Sequence, residues 1–165
     1  MLDLVVQYRD QIQVAFKPHP VLKFKLINLW GKEKTEEYYQ QWVELENGQL
    51  VEGEYMDLFA TSDAMIHDSG SFTVEYLYTQ KPVLFQVKHN DVANQWNTFG
   101  LKCFDCLYHG FSREDLTHFI QEVVINGNDT LKPQRKQLYN DYLYPKDGIL
   151  PSQKIYQLLA SNLLK

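Results

Sequence analysis

The chain is poor in cysteine, in cations and in long apolar runs. Its two cysteines, Cys103 and Cys106, form a single CxxC. Zinc would need two further ligands, and only His109 and His118 lie near in sequence. Haem attachment is excluded because Leu107, not His, follows Cys106. A thioredoxin-like pair stays open, but two reduced cysteines in or beside a strand is the reading adopted. Lys and Arg number 16 against 21 Asp and Glu, a net charge of −5. That balance argues against nucleic acid as a general partner and leaves room only for a local basic pocket. No apolar run approaches the roughly 18 residues of a membrane span, and the first residues lack a basic stretch followed by an apolar core and cleavage site. The expectation is a soluble, cytoplasmic protein. No internal repeat or low-complexity linker interrupts it.

What is present is an apolar fraction of 44% in 165 residues, enough for one domain (1–165) with a sizeable core and too little for a second full one. Residues 64–85, AMIHDSGSFTVEYLYTQKPVLF, organise the rest. The runs 64–67 and 82–85 are too short for helices and are bounded by punctuating residues, as buried parallel strands are. The stretch between them has no Gly or Pro beyond Gly70 and is long enough for two to three helical turns, the crossover a parallel pair needs. The turn Asp68-Ser69-Gly70-Ser71 then falls between strand and helix. There, unpaired backbone amides, a close backbone approach at Gly70 and the hydroxyls of Ser69, Ser71 and Thr73 make a cradle for an anion such as phosphate. The alternative is that Ser69 or Ser71 only caps the helix and Glu75 only faces its dipole.

Along the chain, 2–11 suits a helix and 12–16 a strand that ends in Lys17-Pro18-His19-Pro20. Two prolines forbid helix and central-strand pairing there and hold His19 on a stiff post just past a strand end, the zone where open α/β sheets bind ligands. Helices follow at 21–30, with Leu22, Leu26 and Leu29 or Trp30 on one face and Gly31 as terminator, and at 32–45, with Tyr38, Trp42 and Leu45 inward. Asn47-Gly48 signals a turn, 49–51 a short strand, and 55–62 a short helix with Leu58 and Phe59 inward. Beyond 85, the expectation is a weak helix near 92–99, an edge strand at 103–108, and a helix from a capping-box-like Ser112 and Asp115 through 124. A loop at 126–129 precedes helices at 131–143 and 152–164.

Several of these stretches together resemble the C-terminal half of the bacterial CDP-glycerol:poly(glycerophosphate) glycerophosphotransferases. They are the KPHP, the Tyr55 to Ile66 approach, the Asp68-Ser69-Gly70-Ser71 turn with Glu75, Lys81-Pro82-Val83-Leu84-Phe85, and the late Asp147-Gly148 followed by Ser152. The resemblance implies a GT-B transferase of two Rossmann-like domains, with this chain, a parallel sheet flanked by helices, as the nucleotide-donor-binding second domain. It implies donor phosphates on Ser69, Gly70, Ser71 and Thr73, a ribose on Glu75, and catalysis at His19, with Lys17 and Asp68 in support. No metal or cofactor is required.

The implied partners are CDP-glycerol or a nucleotide sugar, a polymer acceptor of the cell envelope and teichoic acid type, and a missing N-terminal domain that carries the acceptor-activating base. The longer protein would associate peripherally with the inner face of the membrane, and this chain by itself would bind donor without turning it over. The family usually shows Asp-Tyr-Ser-Ser at the turn. Asp-Ser-Gly-Ser is closer to the Asp-Ser-Gly-Gly of UDP-N-acetylglucosamine 2-epimerases, also of GT-B type, so the base and the transferred group stay open. So does a non-catalytic, flavodoxin-like binding domain.

Overall fold

The strands here are only three or four residues long. The computed structural model describes residues 1–88 and 96–163. In chain order the elements are α1 (Leu2–Gln7), β1 (Val14–Phe16), α2 (Leu22–Trp30), α3 (Lys32–Glu44), β2 (Gly48–Leu50), α4 (Met56–Thr61), β3 (Met65–His67) and α5 (Thr73–Leu77). Then come β4 (Val83–Gln86), α6 (Thr98–Phe104), β5 (Tyr108–Gly110), α7 (Arg113–His118), α8 (Lys132–Leu138) and α9 (Pro151–Leu163). Helix α7 runs on through the wider π-helical turns of Phe119–Ile125, and α8 through those of Tyr139–Leu143. The protein is α/β, and its strands pair in parallel. Instead of a single sheet, the described residues hold a two-stranded sheet, β1-β2, and a three-stranded one, β3-β4-β5. They belong to two compact units: Met1–Asp63 with Ser112–Asn128, and the described residues of Ala64–Phe111 with Asp129–Lys165.

In the first unit Val14 lies opposite Gly48 and Phe16 opposite Leu50, and α2 and α3 form the crossover. Gly31 separates the two helices at φ 85°, a backbone region that favours glycine. Phe16 stacks on Trp42 at 4.7 Å and meets Tyr38 and Tyr39 edge-on at 5.9 and 5.8 Å. Thr35, Tyr39 and Trp42 are the buried residues of α3; of the stripe that spacing suggests, Trp42 is buried while Tyr38 and Leu45 are half-buried. These rings already cover the strand, and α2 buries none of its own residues; Leu29 stays 76% exposed. Gly48 is held to glycine by close approach, since a Cβ there would meet the Leu45 Cβ at 2.7 Å and the Trp42 carbonyl at 3.2 Å. Ser112 and Asp115 form the full capping box, each side chain accepting from the other's backbone N–H, and orient α7 so that Leu116 is buried, followed by Phe119, Ile120 and Val123.

In the second unit the register runs His67 opposite Phe85 and Phe85 opposite His109, a row across the sheet. The crossover α5 is five residues long, shorter than the two to three turns expected. The edge strand expected at 103–108 is displaced. The Asn97 side chain accepts the Gly100 N–H at 2.7 Å and starts α6, which takes in Cys103, so that pairing begins only at Tyr108. The weak helix expected at 92–99 lies largely outside the described residues, as does residue 164. No helix among the described residues is long and apolar enough to cross a membrane.

Candidate functional site

The parallel register of the second unit brings the C-terminal ends of β3, β4 and β5 to one edge, and the 68–71 turn leaves from there. Ser69, Gly70 and Ser71 are exposed. Neither serine caps α5. Its N-cap is Phe72, in the left-handed region at φ 67°, and no side chain accepts from the helix's first amides. The purely capping role open to Ser69 and Ser71 from sequence is therefore not the one they have. Gly70 has no positive φ, and among the described residues a Cβ there would touch only Trp96 Cζ2, at 3.9 Å. Nothing among the described residues asks for glycine at this position.

Thr73, grouped with the serines by sequence, is fully buried, and its Oγ1 has neither solvent nor a hydrogen-bond partner. A ligand on the turn's surface reaches Ser69 and Ser71 without reaching Thr73. Glu75 is exposed in the first turn of α5.

Two further residues stand at this edge that sequence reasoning left out of the site. His67 ends β3 with its ring edge-on to Phe85 at 5.1 Å, and neither ring nitrogen has a hydrogen-bond partner. Burial pushes its imidazole down from 6.5 to about 4. The Ser69 backbone, the Asp68 carboxylate and the Ser71 backbone oppose that shift, yet the two backbone groups do not reach hydrogen-bonding geometry. The ring is thus neutral at physiological pH. Lys88 follows β4 and is ion-paired with Asp68 across the edge. The signal for it was present, since Asp68 and Lys88 each come just past a strand of a parallel pair; which strands are neighbours had to be known first.

Phe85, Trp96 and Phe104 pack around the same strand ends at centroid distances of 5.4–5.7 Å, with His109 stacked on Phe104 at 3.9 Å. His109 Nε2 also lies 3.0 Å from the Phe104 carbonyl, so it is engaged within this cluster.

Lys17 and His19 belong to the first unit, just beyond β1. Lys17 is half-buried and His19 exposed. His19 Nδ1 accepts the Val21 N–H at 3.3 Å and its carbonyl accepts the Leu22 N–H at 2.8 Å, so the histidine begins α2 as a local brace.

Cys103 and Cys106 are free thiols, both buried. Burial first, and then Cys106 beside it, pushes the Cys103 thiol up to about 11; burial likewise raises Cys106, against the pull of the Arg135 cation. Among the described residues no group of three His, Cys, Asp or Glu side chains is placed to hold a metal.

These features define an α/β protein on parallel strands, with an exposed hydroxyl-bearing turn at the C-terminal end of a strand. No family model, curated protein or solved structure matches the chain.

Proposed function

We propose that the chain is the donor-binding part of a GT-B enzyme resembling the CDP-glycerol glycerophosphotransferases. The observation that carries the reading is the 68–71 turn. It leaves the C-terminal end of β3, exposes two hydroxyls that cap nothing, and holds a glycine that packing among the described residues does not require. In this reading Ser69, Gly70 and Ser71 hold the donor phosphates, with Thr73 beneath them, and Glu75 takes the ribose. An acceptor hydroxyl attacks the phosphorus next to glycerol and gives its proton to a general base outside this turn; the new P–O bond forms as the bond to the CMP oxygen breaks, and CMP leaves with the electron pair. With a nucleotide sugar the attacked atom is the anomeric carbon and a nucleoside diphosphate leaves. Either way, negative charge grows on the departing phosphate, where preorganised donors are worth several kcal/mol. His19 is the catalytic residue of this reading and Lys17 its support.

Calorimetry with CDP, CMP, UDP and UMP tests the site and names the base. Ser71→Ala and Glu75→Ala are each expected to lose about 1.5–3 kcal/mol of affinity, the range for hydrogen bonds involving charged groups. Gly70→Ala should fold normally and still bind more weakly, because its cost falls on the ligand's approach. Unchanged affinity in all three variants removes the turn from the site. A non-catalytic binding domain is favoured by one observation, the local bracing role of His19. A CDP-glycerol turnover assay on the longest natural product of the gene, with and without His19→Gln, decides between the two.

A further inference from the structure

Asp68 is the first residue past β3 and Lys88 the second past β4, in strands paired side by side. The backbone leading to Lys88 is tied down by the Val87 N–H, which donates to the Gly110 carbonyl at 2.8 Å, so the lysine starts from a fixed point at the sheet edge. Its ammonium sits on Asp68 Oδ2, and the two side chains are 63% and 47% exposed. Among the described residues, three other cations of this unit are placed differently. Lys81 precedes β4, at the opposite edge; Lys102 covers the Tyr142 ring at 5.3 Å; and Arg135 is buried on Asp129.

We propose that Lys88 is the anion-recruiting cation of the 68–71 turn, and that Asp68 is its resting counter-ion rather than a support for the ligand. The ligand class is a phosphate or diphosphate ester that displaces the Asp68 carboxylate from the ammonium. This rests on the phosphate reading of the turn, in which Asp68 is a support and Lys88 has no part. An exposed ion pair of this kind contributes little to stability, so exchanging its carboxylate for a phosphate costs little. The exchange replaces one charge-assisted hydrogen bond by another, to a more highly charged acceptor. While it stays in place, the carboxylate also repels any anion arriving at Ser69 and Ser71.

The consequence is a pair of variants with effects of opposite sign. Calorimetry of the whole chain with CDP and with inorganic pyrophosphate is expected to show Lys88→Gln binding about tenfold more weakly or worse, with a shallower salt dependence, and Lys88→Arg retaining most of the affinity. Asp68→Asn should bind several-fold more tightly, and the double variant should resemble Lys88→Gln. Thermal midpoints near wild type in both single variants would show that the pair is not holding the fold. Weaker binding in Asp68→Asn makes the carboxylate a ligand contact and overturns the proposal. If Ser71→Ala weakens binding while both Lys88→Gln and Asp68→Asn leave it unchanged, this proposal alone fails and the turn keeps its assignment. If neither probe binds the wild-type chain, both fail.

Discussion

Asn47 shows how a residue's role can exceed its local signal. Read with Gly48 it is half of a turn. In the fold it is buried, with Nδ2 donating to the Val5 carbonyl at 2.9 Å and the Ile12 carbonyl at 3.1 Å, which ties α1 and the entry to β1 against the start of β2. Asn47→Ala leaves both carbonyls without this donor, at about 1–3 kcal/mol for each group that stays dry. Urea unfolding should place the variant roughly 3 kcal/mol below wild type, whereas a turn residue replaced by alanine would cost less than 1. The cysteines give a second test at this scale. Both thiols are buried and both are held in the protonated form, so a thiol-titrating reagent at neutral pH should react slowly with the native chain and promptly with two thiols after denaturation. Fast native labelling of either would contradict the packing around α6.

Arg135 ties helix α8 to the loops that flank the second sheet. Arg135 has no exposed surface; it pairs with Asp129 and donates to the Gln80 carbonyl at 3.2 Å and the Cys106 carbonyl at 3.4 Å. Asp129 in turn accepts from the Tyr108 hydroxyl at 3.0 Å, at the start of β5. The pair is asymmetric, because the Asp129 side chain keeps 14% of its surface while Arg135 keeps none. Asp129→Asn strands a dry cation and should cost about 3–5 kcal/mol, whereas Arg135→Met leaves a carboxylate that still reaches water and should cost less. Equal losses in the two single variants, measured by denaturant unfolding, would mean that the shared hydrogen bonds matter more than the buried charge. Legibility differs sharply between elements here. The capping box at Ser112 and Asp115 was readable because it is complete within four residues. The displaced strand at 108 was not, since the helix that displaces it starts from an Asn97 cap inside a polar stretch with little apolar periodicity.

For the whole molecule, the acid limb of stability should carry the mark of His67. Its imidazole titrates near 6.5 when unfolded and near 4 when folded. The unfolded chain therefore binds this proton first as pH falls, and the native state loses stability from about pH 6.5 down to about 4, where the loss levels off. The total is on the order of 3 kcal/mol, from about 1.4 kcal/mol per pH unit. The exposed carboxylates of Asp3 and Asp147, lowered first of all by hydrogen bonds from Arg113 and Lys154, act only below that window. Unfolding free energies of wild type and His67→Gln at pH 7.5, 6, 5 and 4 check this: the slope between 6.5 and 4 should flatten in the variant. Parallel slopes would show that the His67 ring finds a partner when charged.

By itself the sequence determined the parallel α/β alternation, the place of the 68–71 turn between strand and helix, and the stiff Lys17-Pro18-His19-Pro20 post. Each of these follows from spacing and backbone restriction among residues a few positions apart. Only the tertiary structure decided the division into two units, the burial of Thr73, the unpartnered buried ring nitrogens of His67, the Asp68–Lys88 pair and the buried Arg135. Asn47 reaches partners 42 and 35 positions away and Arg135 reaches carbonyls 55 and 29 positions away. Desolvation and pairing depend on what distant parts of the chain bring to a point, and local periodicity carries no record of that.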